Sequence, residues 1–299
     1  MRRSASLAPL LVIAACSRAS SPAKPDPPAS AELPLPPPIS AGTACGPLGC
    51  MQYDSARDAF MDALASGPLV VGVGEAHAPK GATVASAAKR FTDELLPVLS
   101  GRASDLVVEL MMPPTGCADA AAQVRAKQAV VTAKQAPTNQ NEYVVMGERA
   151  RALGVVPDML RPSCTDMDAV RDAGDPIDSS LVLIVRLCET QAKRLVDRDA
   201  RSDADQGKVV VLYGGALHND LAPSAEAARW TYAPALDAYV QGRFVAVDLI
   251  VPEFIADDDT WRALPWYAHY DKTKLGAKTT IFRTGDKSYV LVFPVTIPD

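Results

Sequence analysis

The sequence predicts an α/β fold: a three-layer domain with a mainly parallel central sheet flanked by helices, plus a C-terminal β-hairpin. Short, almost continuously apolar runs, which are typical of buried parallel strands, alternate with segments whose apolar residues recur at helical spacing. The chain has 299 residues, and 48% of them are hydrophobic. We place a single α/β domain at residues 45–299, a length sufficient for one substantial core.

The first half of this domain begins with a helical pattern at residues 55–65. An apolar strand at 69–73, a helix at 83–99 and a strand at 105–110 follow. The intervening helix is long enough for the crossover that joins two parallel strands. Two further helices, at 118–133 and 142–153, come next.

In the second half, a short strand at residues 155–158 precedes a long buried helix at 178–196, which Asp178 or Ser179 would cap. Three more elements complete the alternation: a strand at 209–213, a helix near 234–240 and a strand at 244–251. Residues 279–282 and 288–293 flank Thr284-Gly285-Asp286-Lys287, a sequence typical of a hairpin turn.

The N-terminus predicts export. Residues 1–15 combine two arginines with a short apolar run, as a signal peptide does. The sequence Ile13-Ala14-Ala15-Cys16 resembles a bacterial lipobox, which implies cleavage before Cys16 and acylation of that cysteine. An ordinary secretory signal is the alternative. Ser17 after the cysteine implies sorting to the outer membrane, so we expect a lipid-anchored protein of the cell envelope.

Residues 16–44 are rich in Pro, Ala and Ser, a composition that cannot bury a core and that predicts a disordered linker after the acylated cysteine. The formal net charge is −5 and no basic stripe is present, which argues against nucleic acid as a partner. The expected partners are a membrane, through the N-terminal lipid, and a small-molecule, peptide or haem ligand.

The cysteines of an exported protein can form disulfides. Cys45 and Cys50 frame a short turn that a disulfide could close, and Cys117 and Cys164 could pair at one sheet edge. Cys188 lies in a helical apolar pattern and is expected to be a free, buried thiol.

Two copies of Gly-x-x-His, each behind an apolar strand, are the candidate functional motifs. They are Gly74-Glu75-Ala76-His77 and Gly215-Ala216-Leu217-His218. In open α/β sheets, ligands bind in the crevice at the carboxyl ends of the strands. Glycine permits a sharp turn there, and imidazole binds metals or moves protons near neutral pH. The alternative is a pair of buried histidines that cap strand ends.

Two carboxylates follow other predicted strands. Glu109 ends the strand at 105–110, and Asp158 ends the strand at 155–158. Glu109 could instead pair with an arginine or a helix N-terminus, and Asp158 could belong to a plain turn. His269 has aromatic neighbours and no preceding glycine, so we expect it to be a packed or surface residue.

Together these groups predict one strand-end pocket. Glu75, His77, Glu109 and His218 are the candidate catalytic residues, and His77, Glu109 and His218 are the candidate ligands of a divalent metal. Gly74, Gly215 and Asp158 are expected to help bind a cofactor.

This ordered set of motifs resembles a superfamily that contains Tiki proteases, TraB proteins, erythromycin esterases and ChaN haem-uptake lipoproteins. The shared pattern is Gly-Glu-x-His after one strand, Glu after the next and Gly-x-x-His late in the domain, here between about Leu69 and Val251. The resemblance implies metal-dependent peptide hydrolysis for Tiki-like members and metal-free catalysis by Glu and His for the esterases. For ChaN-like lipoproteins it implies haem binding.

Three functions therefore stay open at the level of sequence. The first is a hydrolase of peptide or ester bonds, with or without a divalent metal. The second is a lipoprotein that binds haem or another cofactor in the same pocket. The third is a lipoprotein that interacts with a partner and catalyses nothing.

Overall fold

The computed structural model describes residues 40–297. The predicted signal peptide at 1–15, Cys16 and most of the linker at 16–44 lie outside the described residues. Within residues 40–297, no helix is both long enough and apolar enough to cross a membrane.

A nine-stranded sheet runs through the described part of the chain, in the order β1-β2-β8-β9-β7-β3-β6-β4-β5. Neighbouring strands from β9 to β5 are parallel, whereas β1, β2 and β8 add antiparallel pairs at one side. The predicted C-terminal hairpin is formed by β8 and β9. The strands are β1 Thr43–Gly46, β2 Cys50–Tyr53, β3 Val70–Glu75, β4 Ala103–Met111, β5 Val156–Leu160, β6 Val209–Gly215, β7 Phe244–Ile250, β8 Thr279–Arg283 and β9 Ser288–Val292.

Helices cover both faces of the sheet, which confirms the predicted three layers. The second helical segment, α2, starts as an α-helix at Ala87–Arg90 and continues as a π-helical turn and a 3-10 turn to Leu99. The other helices are α1 Ala56–Ala63, α3 Ala118–Thr132, α4 Asn139–Ala152, α5 Cys164–Asp172, α6 Pro176–Asp199, α7 Ala233–Tyr239, α8 Asp259–Arg262 and α9 Lys272–Leu275.

Alternate side chains of the parallel strands enter two different cores. In β3, Val71 and Val73 pack with α1, α2 and α4, whereas Val70 packs on the opposite face with α6 and α7. Because both faces are buried, the strands contain continuous apolar runs instead of alternating apolar and polar residues.

Four strands that the sequence predicts are neighbours in the sheet, in the order β4-β6-β3-β7. The register of β3 and β6 pairs Gly74 with Gly214 and Glu75 with Gly215. Both Gly-x-x-His motifs therefore leave the sheet at the same edge, where the carboxyl ends of the parallel strands meet.

Some boundaries differ from the prediction because of capping. The predicted helix at 83–99 starts only at Ala87, where the Ser86 side chain accepts a hydrogen bond from Lys89 N. The helix α6 starts at Pro176 and is capped by Asp175, not by Asp178 or Ser179. Proline is favoured in the first turn of a helix because the N–H that it lacks has no partner there.

Some elements escaped the sequence analysis altogether. The strands β1 and β2 are short, and a disulfide joins Cys45 to Cys50 across their turn. The helix α5 follows a capping box of Ser163 and Asp166.

Cys117 and Cys164 are free thiols that pack in one cluster, and Cys188 is free and buried, as expected.

Candidate functional site

The ends of β3, β4 and β6 approach so closely that only glycine fits at two positions. A Cβ on Gly214 would lie 2.8 Å from Cβ of Glu109, and a Cβ on Gly74 would lie 2.6 Å from Cα of Ala216. Both distances are shorter than van der Waals contact allows. Gly74 and Gly214 thus let neighbouring strands bring their end residues together.

Glu75 ends β3 on the sheet face that packs against α2 and α4. Its carboxylate accepts three hydrogen bonds: Tyr213 Oη donates to Oε2 at 2.6 Å, Tyr143 Oη donates to Oε1 at 2.8 Å, and His77 Nδ1 lies 2.7 Å from Oε1. Only 2% of the Glu75 side chain is exposed. A buried carboxylate needs such donors, because without them its desolvation would be costly.

Glu109 and His218 form a second pair at the same edge of the sheet. Gly215 N–H donates to Glu109 Oε2 at 2.8 Å, and His218 Nε2 lies 3.6 Å from Glu109 Oε1. The other ring nitrogen of His218, Nδ1, donates to the carbonyl oxygen of Trp230 at 2.7 Å. This bond fixes the orientation of the ring, so that Nε2 faces Glu109.

The two pairs converge on Gly215. The position that a Cβ on Gly215 would take lies 4.0 Å from His77 Nε2, 3.8 Å from Glu109 Oε2 and 3.8 Å from His218 Cδ2. Because all three atoms lie within 4.0 Å of one point, His77 Nε2, Glu109 Oε2 and His218 Cδ2 are close neighbours. The structure brings Glu75, His77, Glu109 and His218 to one place, as the sequence predicts.

A cavity of about 440 Å³ opens beside this cluster. His77 and Glu109 lie at its base, and its walls come from α3, α4, α6 and the chain that follows β4. The side chain of His77 is 28% exposed, whereas that of His218 is 3% exposed and does not line the cavity. His77 and Glu109 can reach a ligand directly, and His218 can act only through Glu109.

Hydrogen bonds and charges set the protonation of the first pair. Burial lowers the pKa of His77, but the hydrogen bond to Glu75 and the negative charges of Glu75 and Glu109 outweigh it, so this pKa lies above its usual value. Burial, together with the charge of Glu75, raises the pKa of both Tyr143 and Tyr213 well above 10.0. The two phenols therefore stay protonated and keep donating to Glu75.

The pKa shifts of the second pair favour a negative Glu109 and a positive His218. Burial raises the pKa of Glu109, but His218, the N–H of Gly215 and the charge of His77 outweigh burial and hold this pKa below its usual value. Burial lowers the pKa of His218, but Glu109 and the Trp230 carbonyl outweigh burial and hold it above its usual value. Glu109 is thus held as a carboxylate at the base of the cavity.

The candidate metal ligands His77, Glu109 and His218 are engaged in two side-chain pairs. Within residues 40–297, no three His, Cys, Asp or Glu side chains are grouped so that they could hold a metal ion. His218 Nε2 and Glu109 Oε1 face each other, and His77 Nδ1 is bound to Glu75. His218 and Glu109 thus pair with each other, whereas Nε2 of His77 has no partner among the described residues.

Asp158 is not at this site, contrary to the sequence analysis. It lies within β5, which continues to Leu160, and not at the end of the strand. Its carboxylate contacts Gln191 and Arg194 of α6 and Arg161. The sequence predicted that the strand ends at Asp158, whereas β5 ends two residues later, so the carboxylate lies short of the edge where the motifs meet.

The sequence analysis missed Tyr143 and Tyr213, which fix Glu75. A signal for Tyr213 exists, because it is the one polar side chain in the run Val209-Val210-Val211-Leu212-Tyr213 and lies two residues before Gly215. Tyr143 gives no local signal, since it reaches Glu75 from α4, 68 residues along the chain.

No protein-family model matches this sequence, and no curated protein matches it. Among solved structures, a mutant of erythromycin esterase EreC in its open conformation is similar, with 9% identity and a TM-score of 0.39 over 81% of this chain and 94% of that chain. A protein from Bacillus cereus is similar with 10% identity and a TM-score of 0.36, over 82% of this chain and 94% of that one.

Both likenesses are weak and concern the fold alone. At these TM-scores and identities they carry no argument about family or activity. What the site can do follows from its own residues.

Proposed function

We propose that this protein is a hydrolase of ester or peptide bonds and that an ester is the bond it cleaves most readily. One observation carries the proposal: Glu75 holds His77 by Nδ1, while the same imidazole lines a cavity that also contains the carboxylate of Glu109. A histidine oriented by a buried carboxylate, with its second nitrogen free, is the arrangement of a general base.

Glu75 orients the base. Hydrogen bonds from Tyr143 and Tyr213 hold its carboxylate in place, so that His77 donates from Nδ1 and leaves the lone pair on Nε2. The raised pKa of His77 makes the ring a stronger base than a free histidine. General base catalysis by such a residue contributes about 10²- to 10⁴-fold to a rate.

The reaction uses water and the side chains at the base of the cavity. His77 Nε2 takes a proton from a water molecule, whose oxygen forms a bond to the acyl carbon of the substrate. The carbon–oxygen bond of the ester then breaks, and His77 returns its proton to the departing alkoxide. The products are a carboxylic acid and an alcohol.

Glu109 supports this step as an anion. Its carboxylate can accept the second hydrogen of the attacking water, and its charge stabilises the imidazolium that forms on His77. His218 is a positioning residue, because it contacts Glu109 and does not line the cavity. Each of these steps uses only water and the side chains of the site.

Hydrolysis of para-nitrophenyl esters by the purified full chain tests the proposal. We expect His77→Ala to lower kcat/KM about 100-fold or more while the melting temperature changes little, because an exposed part of the ring does the chemistry. His269→Ala is the matched control, since His269 is exposed and belongs to neither Gly-x-x-His motif. Wild-type activity in His77→Ala would refute the proposal, as would a loss of activity explained by unfolding.

A further inference from the structure

We propose that the substrate of this site is an anionic amphiphile: an ester with an apolar body and a carboxylate, or a similar anion, that Arg125 binds. The inference rests on the hydrolase proposed above and names its substrate class. It derives from the walls of the cavity, not from its base.

Two helices, α3 and α6, form two of these walls, each with one continuous face. Residues three or four positions apart lie on the same side of a helix. On α3 the face contains Ala121, Val124, Arg125 and Gln128, and on α6 it contains Leu181 and Ile184. Apart from Arg125, these residues are apolar or uncharged, so they favour the apolar part of a ligand.

Other parts of the cavity lining are apolar as well. Met111 and Met112 follow Glu109 along the chain, and Met167 projects from α5. Met112 is 50% exposed and Ile177 is 37% exposed, although both side chains are large and hydrophobic. Exposed apolar side chains around a cavity mark a binding surface, and the thioether of methionine adapts to ligands of different shape.

Arg125 is the cation of this cavity. Its side chain is exposed and makes no hydrogen bond or ion pair with any residue between 40 and 297. Nearby basic residues differ: Arg171 pairs with Asp168 and Asp172, and Lys127 donates to the carbonyl of Arg171. Arg125 thus has its full set of donors available for a ligand.

The charges of the cavity determine which end of the ligand lies at its base and which lies at Arg125. The carboxylate of Glu109 at the base repels an anion, whereas the guanidinium of Arg125 on the wall attracts one. A guanidinium binds a carboxylate through two parallel hydrogen bonds, which fix orientation as well as affinity. The anionic group therefore lies at Arg125, and the ester carbonyl lies beside His77.

Two esters of matched length test this assignment. The para-nitrophenyl ester of hexanoic acid is neutral, and the mono-para-nitrophenyl ester of adipic acid ends in a carboxylate. We expect the anionic ester to have the higher kcat/KM in the wild type, by about tenfold or more. Arg125→Gln should remove this preference through a KM for the anionic ester that rises much more than the KM for the neutral ester.

Arg151→Gln is the matched control, because Arg151 is also an exposed arginine on a wall helix but does not line the cavity. It should retain the preference for the anionic ester. Equal kcat/KM values for the two esters in the wild type, or a preference that survives Arg125→Gln, would overturn the inference.

A binding measurement separates this inference from the proposed hydrolase. Aryl ethers of the same shape, para-nitrophenoxy-hexanoate and para-nitrophenyl hexyl ether, cannot be hydrolysed. We expect calorimetry to show tighter binding of the anionic ether, by about tenfold, and loss of that advantage in Arg125→Gln. If this holds while no ester is cleaved, the hydrolase is wrong and the anion site stands. If esters are cleaved but the two ethers bind alike, the anion site is wrong.

Discussion

At the scale of single residues, the site depends on a carboxylate that is almost fully buried. Glu75 is stable there because three donors, Tyr143, Tyr213 and His77, satisfy it. Removing its charge while keeping its shape therefore changes the basicity of His77 more than it changes packing.

Glu75→Gln should lower the pKa of His77, because the contact and charge that raise this pKa are lost while burial, which lowers it, remains. The acidic limb of the kcat/KM profile against pH should move to lower pH. The rate on its plateau should fall about 100-fold, since the ring is no longer held in one tautomer. Glu94→Gln, at an exposed position on α2, should change neither quantity. An acidic limb that stays in place would contradict this role for Glu75.

Asp248 is a second buried carboxyl, next to the site but outside the proposed reaction. It pairs with Gly74 in the register of β3 and β7, and burial raises its pKa to about 7. Its Oδ1 and the Oδ1 of Asn219 are both buried without a hydrogen-bond partner, and both lie within 2.8 Å of where a Cβ on Gly74 would be. A proton on Asp248 would join these two oxygens.

The pKa of Asp248 is higher in the folded chain than the usual value of about 3.9, so the folded state binds more protons between about pH 4 and pH 7. This residue therefore costs stability as the pH rises through that window. Asp248→Asn should raise the free energy of unfolding by about 1–2 kcal/mol near pH 8 and by less near pH 5, because an amide stays neutral and can donate to Asn219.

Urea unfolding at both pH values measures this difference. Asp203→Asn is the control at an exposed position and should have no comparable pH dependence. A destabilisation by Asp248→Asn that is equal at both pH values would show that Asp248 is ionised in the folded protein.

At the scale of elements, the site depends on how closely β4 and β6 approach. Gly214 lies opposite Gly74 in the register, and Glu109 of β4 passes over it. The absence of a side chain at Gly214 leaves the space in which the Glu109 carboxylate meets the N–H of Gly215.

Gly214→Ala should move Glu109 away from Gly215 and His218, because the new Cβ would lie 2.8 Å from Cβ of Glu109. We expect kcat/KM to fall about tenfold or more and the free energy of unfolding to fall by about 1–3 kcal/mol. Gly174→Ala is the matched control, since no atom lies within 4 Å of a Cβ at that position. Full ester hydrolysis by Gly214→Ala would show that the position of Glu109 is unimportant for the reaction.

At the scale of the whole molecule, several expectations stay predictions of the sequence. They include the signal peptide at residues 1–15, the linker at 16–44, a location in the outer membrane, and a divalent metal or haem as cofactor. Metal analysis and an absorption spectrum of the purified chain address the last of these. One equivalent of metal would favour a metal-dependent hydrolase, and a Soret band would favour haem binding.

The lipid anchor at Cys16 is directly testable. Cys16→Ser should abolish incorporation of labelled palmitate and release the protein from the membrane fraction of the cell, because no other acylation site follows from the sequence. Cys164→Ser is a control, since Cys164 is a free, partly exposed thiol of the folded domain, and it should retain the label. Labelling that survives Cys16→Ser would remove the lipoprotein hypothesis.

The sequence by itself determined most of the fold. The order of strands and helices, and the meeting of both Gly-x-x-His motifs at one edge, followed from local patterns. Apolar runs such as Val209–Tyr213 and helical spacing such as that of α1 indicate which faces are buried. These patterns lie within each element and can therefore be read locally. Glu75, His77, Glu109 and His218 were predictable for the same reason, because each lies at or just past the end of a recognisable strand.

Only the tertiary structure decided how these groups are paired. Tyr143 reaches Glu75 from a helix distant in the chain, and Trp230 fixes His218 through a backbone carbonyl that every residue has. Asp158 is the opposite case, because the sequence placed it at a strand end where it does not lie. The strand β5 continues to Leu160, and the Asp158 carboxylate contacts α6 instead of the site. Hydrogen-bond partners and the walls of the cavity depend on contacts between distant segments, and local spacing in the sequence does not record such contacts.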